Sequence, residues 1–334
     1  MSELRLNPVT REWVIIARER AKRPDDFKGM MPLRRPLPGY LKGCPFCAGH
    51  EDKTPPESMR VGDGKGWRLR VIPNKFSALT EEGEKKRTRE GVKRSITGVG
   101  RHEVIIETPR HNMNPALREP AEVEDIIAIY RARFIDAHRD PRVEHVIIFK
   151  NHGEGAGTSL EHPHSQLIAT PVVPVQFRDR LLASMHYFDD TGRCLICDVL
   201  TTEVKDSSRV ILDSEHFTTF IPYAALSPFH TWIFPKRHSA SFSDITGAET
   251  KDIAVHLKNL LSRVYHGLNN PDYNYVIRSS RPMDAGNEYC HWYMAVVPRL
   301  TKTAGFELGS GMFINTSVPE DDAEFLRSVN VPEN

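Results

Sequence analysis

The sequence predicts an α+β protein built from two tandem, similar halves, each a mostly antiparallel sheet with a packed helix. Three observations predict it: a C-x-x-C pair that occurs twice, an amphipathic helical stretch after each pair, and a His-bearing strand that closes each half. With 334 residues, 39% hydrophobic and 27% charged, the chain has apolar mass for two domains of roughly 150 residues each.

Taken in order, the residues before Cys44 are rich in Pro and carry the basic run Arg18-Glu19-Arg20-Ala21-Lys22-Arg23, which reads as an extended, covering segment. Cys44-Pro45-Phe46-Cys47 and a strand over 70–76 follow. Residues 81–94 are dense in charges of both signs and are expected to be a solvated loop. The strand over 102–111 ends in a basic residue and His111, and the stretch 122–138 places Ile126, Ile129, Tyr130, Arg133 and Phe134 at helical spacing. A strand over 143–149, a polar loop and a final strand over 162–169 complete the first half.

The second half repeats this order: Cys194-Leu195-Ile196-Cys197, strands over 210–212 and 217–220, a strand over 230–238 ending in His238, a helix over 249–268, and strands over 273–277 and 291–297. His111 and His162 are 51 positions apart, and His238 and His291 are 53 apart, so the final histidines correspond. The boundary is expected near 177–193, giving domains 1–177 and 178–334. The tail Gly305-Phe306-Glu307-Leu308-Gly309-Ser310-Gly311 is expected to be a loop whose backbone N–H groups can approach an anion.

Charge narrows the partners. Forty-five Lys+Arg against 44 Asp+Glu leave +1, which supplies no field for nucleic acid or an anionic membrane. The N-terminus lacks the apolar core of a secretory signal, and no apolar run approaches the roughly 20 residues of a membrane span. Five cysteines, four of them in C-x-x-C pairs, suit a metal better than disulfides, so a reducing cytoplasm is the expected compartment.

Two thiolates and two imidazoles form the closed tetrahedral shell that zinc prefers. The recurrence of His after each Cys pair makes Cys44, Cys47, His111 and His162 one expected zinc site, and Cys194, Cys197, His238 and His291 a second. In His162-Pro163-His164-Ser165-Gln166, alternation along a strand puts His162, His164 and Gln166 on one wall. A neutral imidazole held there can attack phosphorus, and the Gln amide can donate to a phosphate oxygen. The bland alternative is a structural His cluster. Counting on from His291, the second half has Tyr293 and Ala295 where the first has His164 and Gln166, which points to one catalytic and one scaffolding half. The loop 151–159 resembles a dinucleotide fingerprint but opens no helix, so it reads instead as a turn bending amides and Ser159 toward a phosphate, with Arg20, Lys22 and Arg23 as further cationic contacts.

These residues, together with Asn7-Pro8-Val9-Thr10-Arg11-Glu12-Trp13 and Asn74-x-Phe76, resemble the galactose-1-phosphate uridylyltransferase family of the histidine-triad (HIT) superfamily over most of the chain. The resemblance implies two HIT-like domains, His164 as nucleophile, Gln166 as stabiliser of a histidine-nucleoside monophosphate intermediate, and zinc at two sites. It further implies phosphate contacts from Asn151, Ser159, Arg20 and Arg23, nucleoside contact from Asn74, and a homodimer in which Gly305, Phe306 and Glu307 reach the neighbouring subunit's sugar site. Ser165, where the family typically has Gly, and the thiolates Cys194 and Cys197 are more like the ADP-glucose phosphorylase-like branch. The implied activity is nucleotidyl transfer from a nucleoside-diphosphate-hexose, with release of hexose 1-phosphate and with inorganic phosphate or a sugar phosphate as acceptor. A dinucleoside-polyphosphate phosphorylase or hydrolase and a non-catalytic zinc-stabilised nucleotide-binding module are the alternatives.

Overall fold

A computed structural model describes residues 2–30, 34–62, 64 and 66–332. The chain opens with the antiparallel strands β1 (Glu3–Leu6) and β2 (Trp13–Ile16), then α1 (Pro24–Met30). The first half continues with β3 (Met59–Gly62), β4 (Trp67–Pro73), the hairpin β5 (Arg87–Glu90) and β6 (Lys93–Ile96), β7 (Arg101–Ile106), α2 (Pro120–Ala137), β8 (His145–His152) and β9 (His164–Thr170). Then come α3 (Val175–Thr191), α4 (Leu195–Asp206), β10 (Val210–Asp213), β11 (Phe217–Phe220), β12 (Thr231–Pro235), α5 (Gly247–Gly267), β13 (Tyr273–Arg278) and β14 (Tyr293–Pro298). The chain closes with α6 (Gly305–Ser310), β15 (Phe313–Asn315) and α7 (Pro319–Ser328).

Ten strands form one antiparallel sheet in the order β10-β11-β12-β14-β13-β8-β9-β7-β4-β3, which realises the expected α+β class. The first half supplies five of them and the second half five, in mirrored order, and the halves meet where β8 pairs with β13. The expected division at residue 177 lies within α3, outside this sheet. Helices α2 and α5 both start at capping boxes. At α5, Thr246 Oγ1 accepts from the Glu249 N–H at 3.2 Å while the Glu249 carboxylate accepts from the Thr246 N–H at 2.8 Å. Ile126, Ile127, Tyr130 and Phe134 of α2 and Ile253, Leu257, Leu260 and Leu261 of α5 are buried in one core with Ile105, Leu167, Ile233 and Met294 of the sheet. Each such side chain, fully buried, contributes about 1.5–3 kcal/mol, so these helices fix one face of the sheet and leave the other for chemistry.

The N-terminal segment does cover the molecule, but it covers the second half. β15 pairs in parallel with β2, Asn7 Nδ2 donates to the Ala224 carbonyl at 3.1 Å, Arg5 pairs with Glu320 at 2.9 Å, and Phe27 packs edge-on against Phe229. Three expectations need correction. Residues 81–94 are not wholly loop: they contain most of the exposed hairpin β5–β6, whose charged residues alternate with Thr88 and Ser95, able to pair without a core. The glycine-rich tail is not a loop but the short helix α6, because the Glu307 carboxylate accepts from the Ala304 N–H and Gly311 closes the helix at φ 70°. His162 and His291 stand just before β9 and β14 rather than on them.

Candidate functional site

Alternation along β9 sends Leu167 and Ala169 into the core beneath α2 and turns His164 and Gln166 to the opposite face. There Phe46, Ile72, Val104 and Ile106 pack around the first Cys pair, and the Phe46 ring lies edge-on to both His162 and His164.

Cys44, Cys47, His111 and His162 meet beside this strand with their candidate ligand atoms all within 4.8 Å of one another, and all four residues are buried. The backbone N–H groups of Phe46 and Leu41 donate to the Cys44 and Cys47 sulfurs at 3.4 and 3.3 Å, which suits thiolates. His162 Nε2 donates to the Thr108 carbonyl at 2.8 Å, so its Nδ1 presents a lone pair 3.6 Å from Cys44 Sγ. Burial pushes the His162 pKa down to about 4 and lowers that of His111, keeping both rings neutral as a metal requires. His50, absent from the expected set, bonds the Cys44 carbonyl through Nδ1 at 2.6 Å and so braces the loop from behind.

The second group repeats the arrangement. Cys194 caps α4 and Cys197 lies in its first turn; Cys197 Sγ is 3.5 Å from His238 Nδ1 and 3.4 Å from His291 Nδ1. Both rings turn Nε2 outward, His238 to the Asn287 carbonyl and His291 to that of Pro235, each at 3.1 Å. All eight expected ligands therefore assemble into two sets, each with soft and imidazole donors converging on one point, which fits a metal ion. The fifth cysteine, Cys290, is separate, and burial raises its thiol pKa to about 11.

His164 Nδ1 donates to the His162 carbonyl at 2.8 Å, leaving the Nε2 lone pair available, and burial lowers the ring's pKa. Gln166 is oriented by two neighbours: its Oε1 accepts from His102 Nε2 at 2.8 Å and from Asn74 Nδ2 at 3.4 Å. Its amide N–H₂ is thus the end left to donate. Asn74 is itself fixed by the Phe76 N–H at 2.9 Å, and the Phe76 ring is 84% exposed.

Behind His164 lies a charged layer that the motif does not announce. Lys150 Nζ donates to the His164 carbonyl at 3.0 Å and pairs with Glu107 at 2.7 Å, both side chains being buried. Tyr130 adds a hydrogen bond to Glu107 at 3.2 Å. Burial would raise the Glu107 pKa, but Lys150 and Arg118 outweigh it and hold the carboxyl below its ordinary range.

The remaining expected residues are dispersed. Asn151, at the end of β8, accepts from Asn274 at 2.8 Å and donates to the Gly157 carbonyl at 3.4 Å, shaping the turn that follows. Ser159 is exposed beyond that turn. Arg20 and Arg23 are exposed on the segment tied to the second half by Lys22 N–H to Thr316 at 2.9 Å, and Gly305, Phe306 and Glu307 lie on α6. Among the described residues, no hydrogen bond joins these last six to His164 or Gln166. His102, Lys150, Glu107 and His50 were not expected. His102 alone left a signal, as a polar residue within the β7 strand.

In the second half the corresponding face is largely aromatic. Tyr293 stands where His164 does, and Trp232, Phe234 and Phe220 pack around it, with ring centroids of Phe234 and Tyr293 5.0 Å apart and of Trp232 and Phe234 5.3 Å apart. No helix among the described residues is long and apolar enough to cross a membrane.

Known proteins resemble this chain over most of its length. Residues 1–174 match the family described as galactose-1-phosphate uridyl transferase, N-terminal domain, and residues 181–330 match its C-terminal domain. ADP-glucose phosphorylase of Arabidopsis thaliana is 39% identical over 98% of this chain and 93% of its own length. Galactose-1-phosphate uridylyltransferase of Thermotoga maritima is 28% identical over 99% of both. The crystal structure of an ADP-glucose phosphorylase from Arabidopsis thaliana with bound ADP-glucose superposes with a TM-score of 0.82 at 34% identity, covering 99% of this chain and all of that one. The chain belongs to the galactose-1-phosphate uridyl transferase family, whose named relatives are nucleotidyl-transferring enzymes.

Proposed function

We propose that the protein is an ADP-glucose phosphorylase that works through a covalent intermediate on His164. The observation that carries this is the one-sided anchoring of a buried, neutral imidazole: Nδ1 is held by the His162 carbonyl and Nε2 is left with its lone pair, on the strand face that also carries Gln166. Nε2 attacks the α-phosphorus, the bond to the β-phosphate oxygen breaks, and glucose 1-phosphate leaves. A phosphate oxygen then attacks the same phosphorus, the N–P bond breaks, and ADP leaves with His164 restored. Gln166, with Ser159, Asn151 and backbone amides of the loop, stabilises the charge that develops on the non-bridging oxygens. Asn74 holds the nucleoside and Arg20 and Arg23 the diphosphate. The choice of ADP-glucose over a uridine sugar rests on the greater identity to the phosphorylase than to the uridylyltransferases.

Each Cys/His set holds one zinc, two per chain, in a closed shell. Bound there, zinc supplies cross-linking of the loop to the strand end, not a reactive water. Because, among the described residues, no hydrogen bond joins Arg20, Arg23 or Gly305 to Glu307 to His164, a homodimer in which α6 reaches the neighbouring subunit's site accounts for their role.

The test is incubation with ADP-glucose alone, which should add one adenosine monophosphate in an acid-labile linkage to the peptide containing His164, followed by a matrix of ADP-glucose and UDP-glucose with phosphate or galactose 1-phosphate as acceptor. His164→Asn should abolish labelling while retaining zinc. A label elsewhere overturns the mechanism; faster turnover of UDP-glucose with galactose 1-phosphate overturns the substrate.

A further inference from the structure

We propose that the second half binds a phosphoryl oxyanion in a cavity between α3, β13 and Tyr293, at the position corresponding to the catalytic site of the first half. The cavity is lined by Arg180, Arg278, Ser280 and Tyr293, with Val9 and Phe177 among its apolar walls.

The register establishes the correspondence. In the first half Phe149 pairs with Gln166, which carries Asn151 to the level of His164. In the second half Val276 pairs with Ala295 and Arg278 pairs with Tyr293. Arg278 therefore stands where Asn151 stands and Tyr293 where His164 stands. The imidazole at the nucleophile position has been replaced by a phenol, while a neutral amide has been replaced by a cation.

The charge is unbalanced. Neither Arg180 nor Arg278 makes a hydrogen bond or ion pair with any described residue, and Arg180 Nη1 is buried with no partner. Glu12 is the carboxylate whose field reaches Arg278, yet it forms no ion pair with it and its Oε2 is likewise buried without a partner. Two guanidiniums thus face one carboxylate. His230 adds no negative charge: its Nε2 accepts from the Trp232 indole at 3.2 Å, and burial together with the two arginines pushes its pKa down to about 3. A buried donor left unsatisfied costs about 1–3 kcal/mol, which an oxyanion accepting from both arginines removes. Guanidinium forks match phosphate oxygens in geometry as well as charge.

Size selects the ligand. The cavity of about 40 Å³ has room for a few waters, at roughly 10–15 Å³ each, which suits one small phosphoryl group. The source is inorganic phosphate or the phosphate of a small ester whose remainder stays outside.

Equilibrium dialysis of the zinc-loaded full-length protein against labelled inorganic phosphate, and separately against labelled glucose 1-phosphate, tests this. Arg278→Gln and Arg180→Gln should each bind one equivalent per chain less than wild type, and Arg278→Lys should weaken that equivalent without removing it. Both Gln variants should keep two zinc ions and full labelling of His164 by ADP-glucose, which establishes that they are folded and separates this site from the catalytic one. A loss in both dialyses assigns the site to any accessible phosphoryl group, and a loss with inorganic phosphate alone assigns it to the free ion. Unchanged binding of both ligands by either folded Gln variant overturns the proposal.

Discussion

Lys150 and His164 are joined through the main chain: the buried ammonium donates to the His164 carbonyl at 3.0 Å while its charge is met by Glu107 at 2.7 Å on the other side. Lys150 bonds the carbonyl and not the ring, on which its charge acts only at a distance by lowering the pKa, so what it fixes is the backbone from which the ring projects. Removing it leaves a carboxylate buried without its partner. Lys150→Met should therefore destabilise the protein by about 3–5 kcal/mol in urea denaturation, and Lys150→Met with Glu107→Leu should recover most of that loss. Transfer to His164 should stay slow in the double variant, because the backbone clamp is still missing.

Metal content separates the two halves. Zinc analysis of protein purified without added metal should give about two equivalents, and Cys44→Ser and Cys194→Ser should each lose about one. Only the first change should slow nucleotide labelling, since Cys44 lies 3.6 Å from the Nδ1 of His162, whose carbonyl holds His164. Equal effects on labelling would contradict the assignment of catalysis to one half.

A pH dependence is expected from Asp322. Burial raises its pKa from 3.8 to about 7, although Ser317 and the Phe229 N–H bond one oxygen. Its folded form therefore prefers the proton, and stability from this group is fully present below about pH 4 and is lost as pH rises through about 7. Asp322→Asn should flatten this slope and be more stable than wild type at pH 8.5 by on the order of 2 kcal/mol, read from denaturation midpoints at pH 5 and 8.5.

Assembly is tested by mixing. Sedimentation should give a homodimer, and a His164→Asn chain mixed with a chain lacking residues 305–311 should regain activity, because the mixed dimer contains one site with an intact nucleophile and an intact neighbouring tail. A fully active monomer would remove the shared site.

The two metal sets were legible because each is a local spacing repeated at a distance: C-x-x-C fixes two ligands in one loop, and the matched His positions supply the others. The helices α2 and α5 were legible from their apolar period. Lys150 and Glu107 were not, since a lysine inside a strand ordinarily reads as a solvent-facing residue, and its burial depends on a carboxylate 43 positions away. His102 showed only as a polar residue in a strand, because its role is to hold the Gln166 carbonyl, a contact made across neighbouring strands. The tail failed for a different reason. Glycine content argued against helix, but one carboxylate at Glu307 and a left-handed Gly311 suffice to close a single turn.

The seam between β8 and β13 has a further consequence. Either half alone would end in a strand whose backbone donors and acceptors have lost their mates, and such an edge recruits another strand. The chain is thus the covalent equivalent of a pair in which each member protects the other from aggregation. That dependence preserves the second half whatever becomes of its chemistry, and it leaves the position held by Tyr293 free to take up another task.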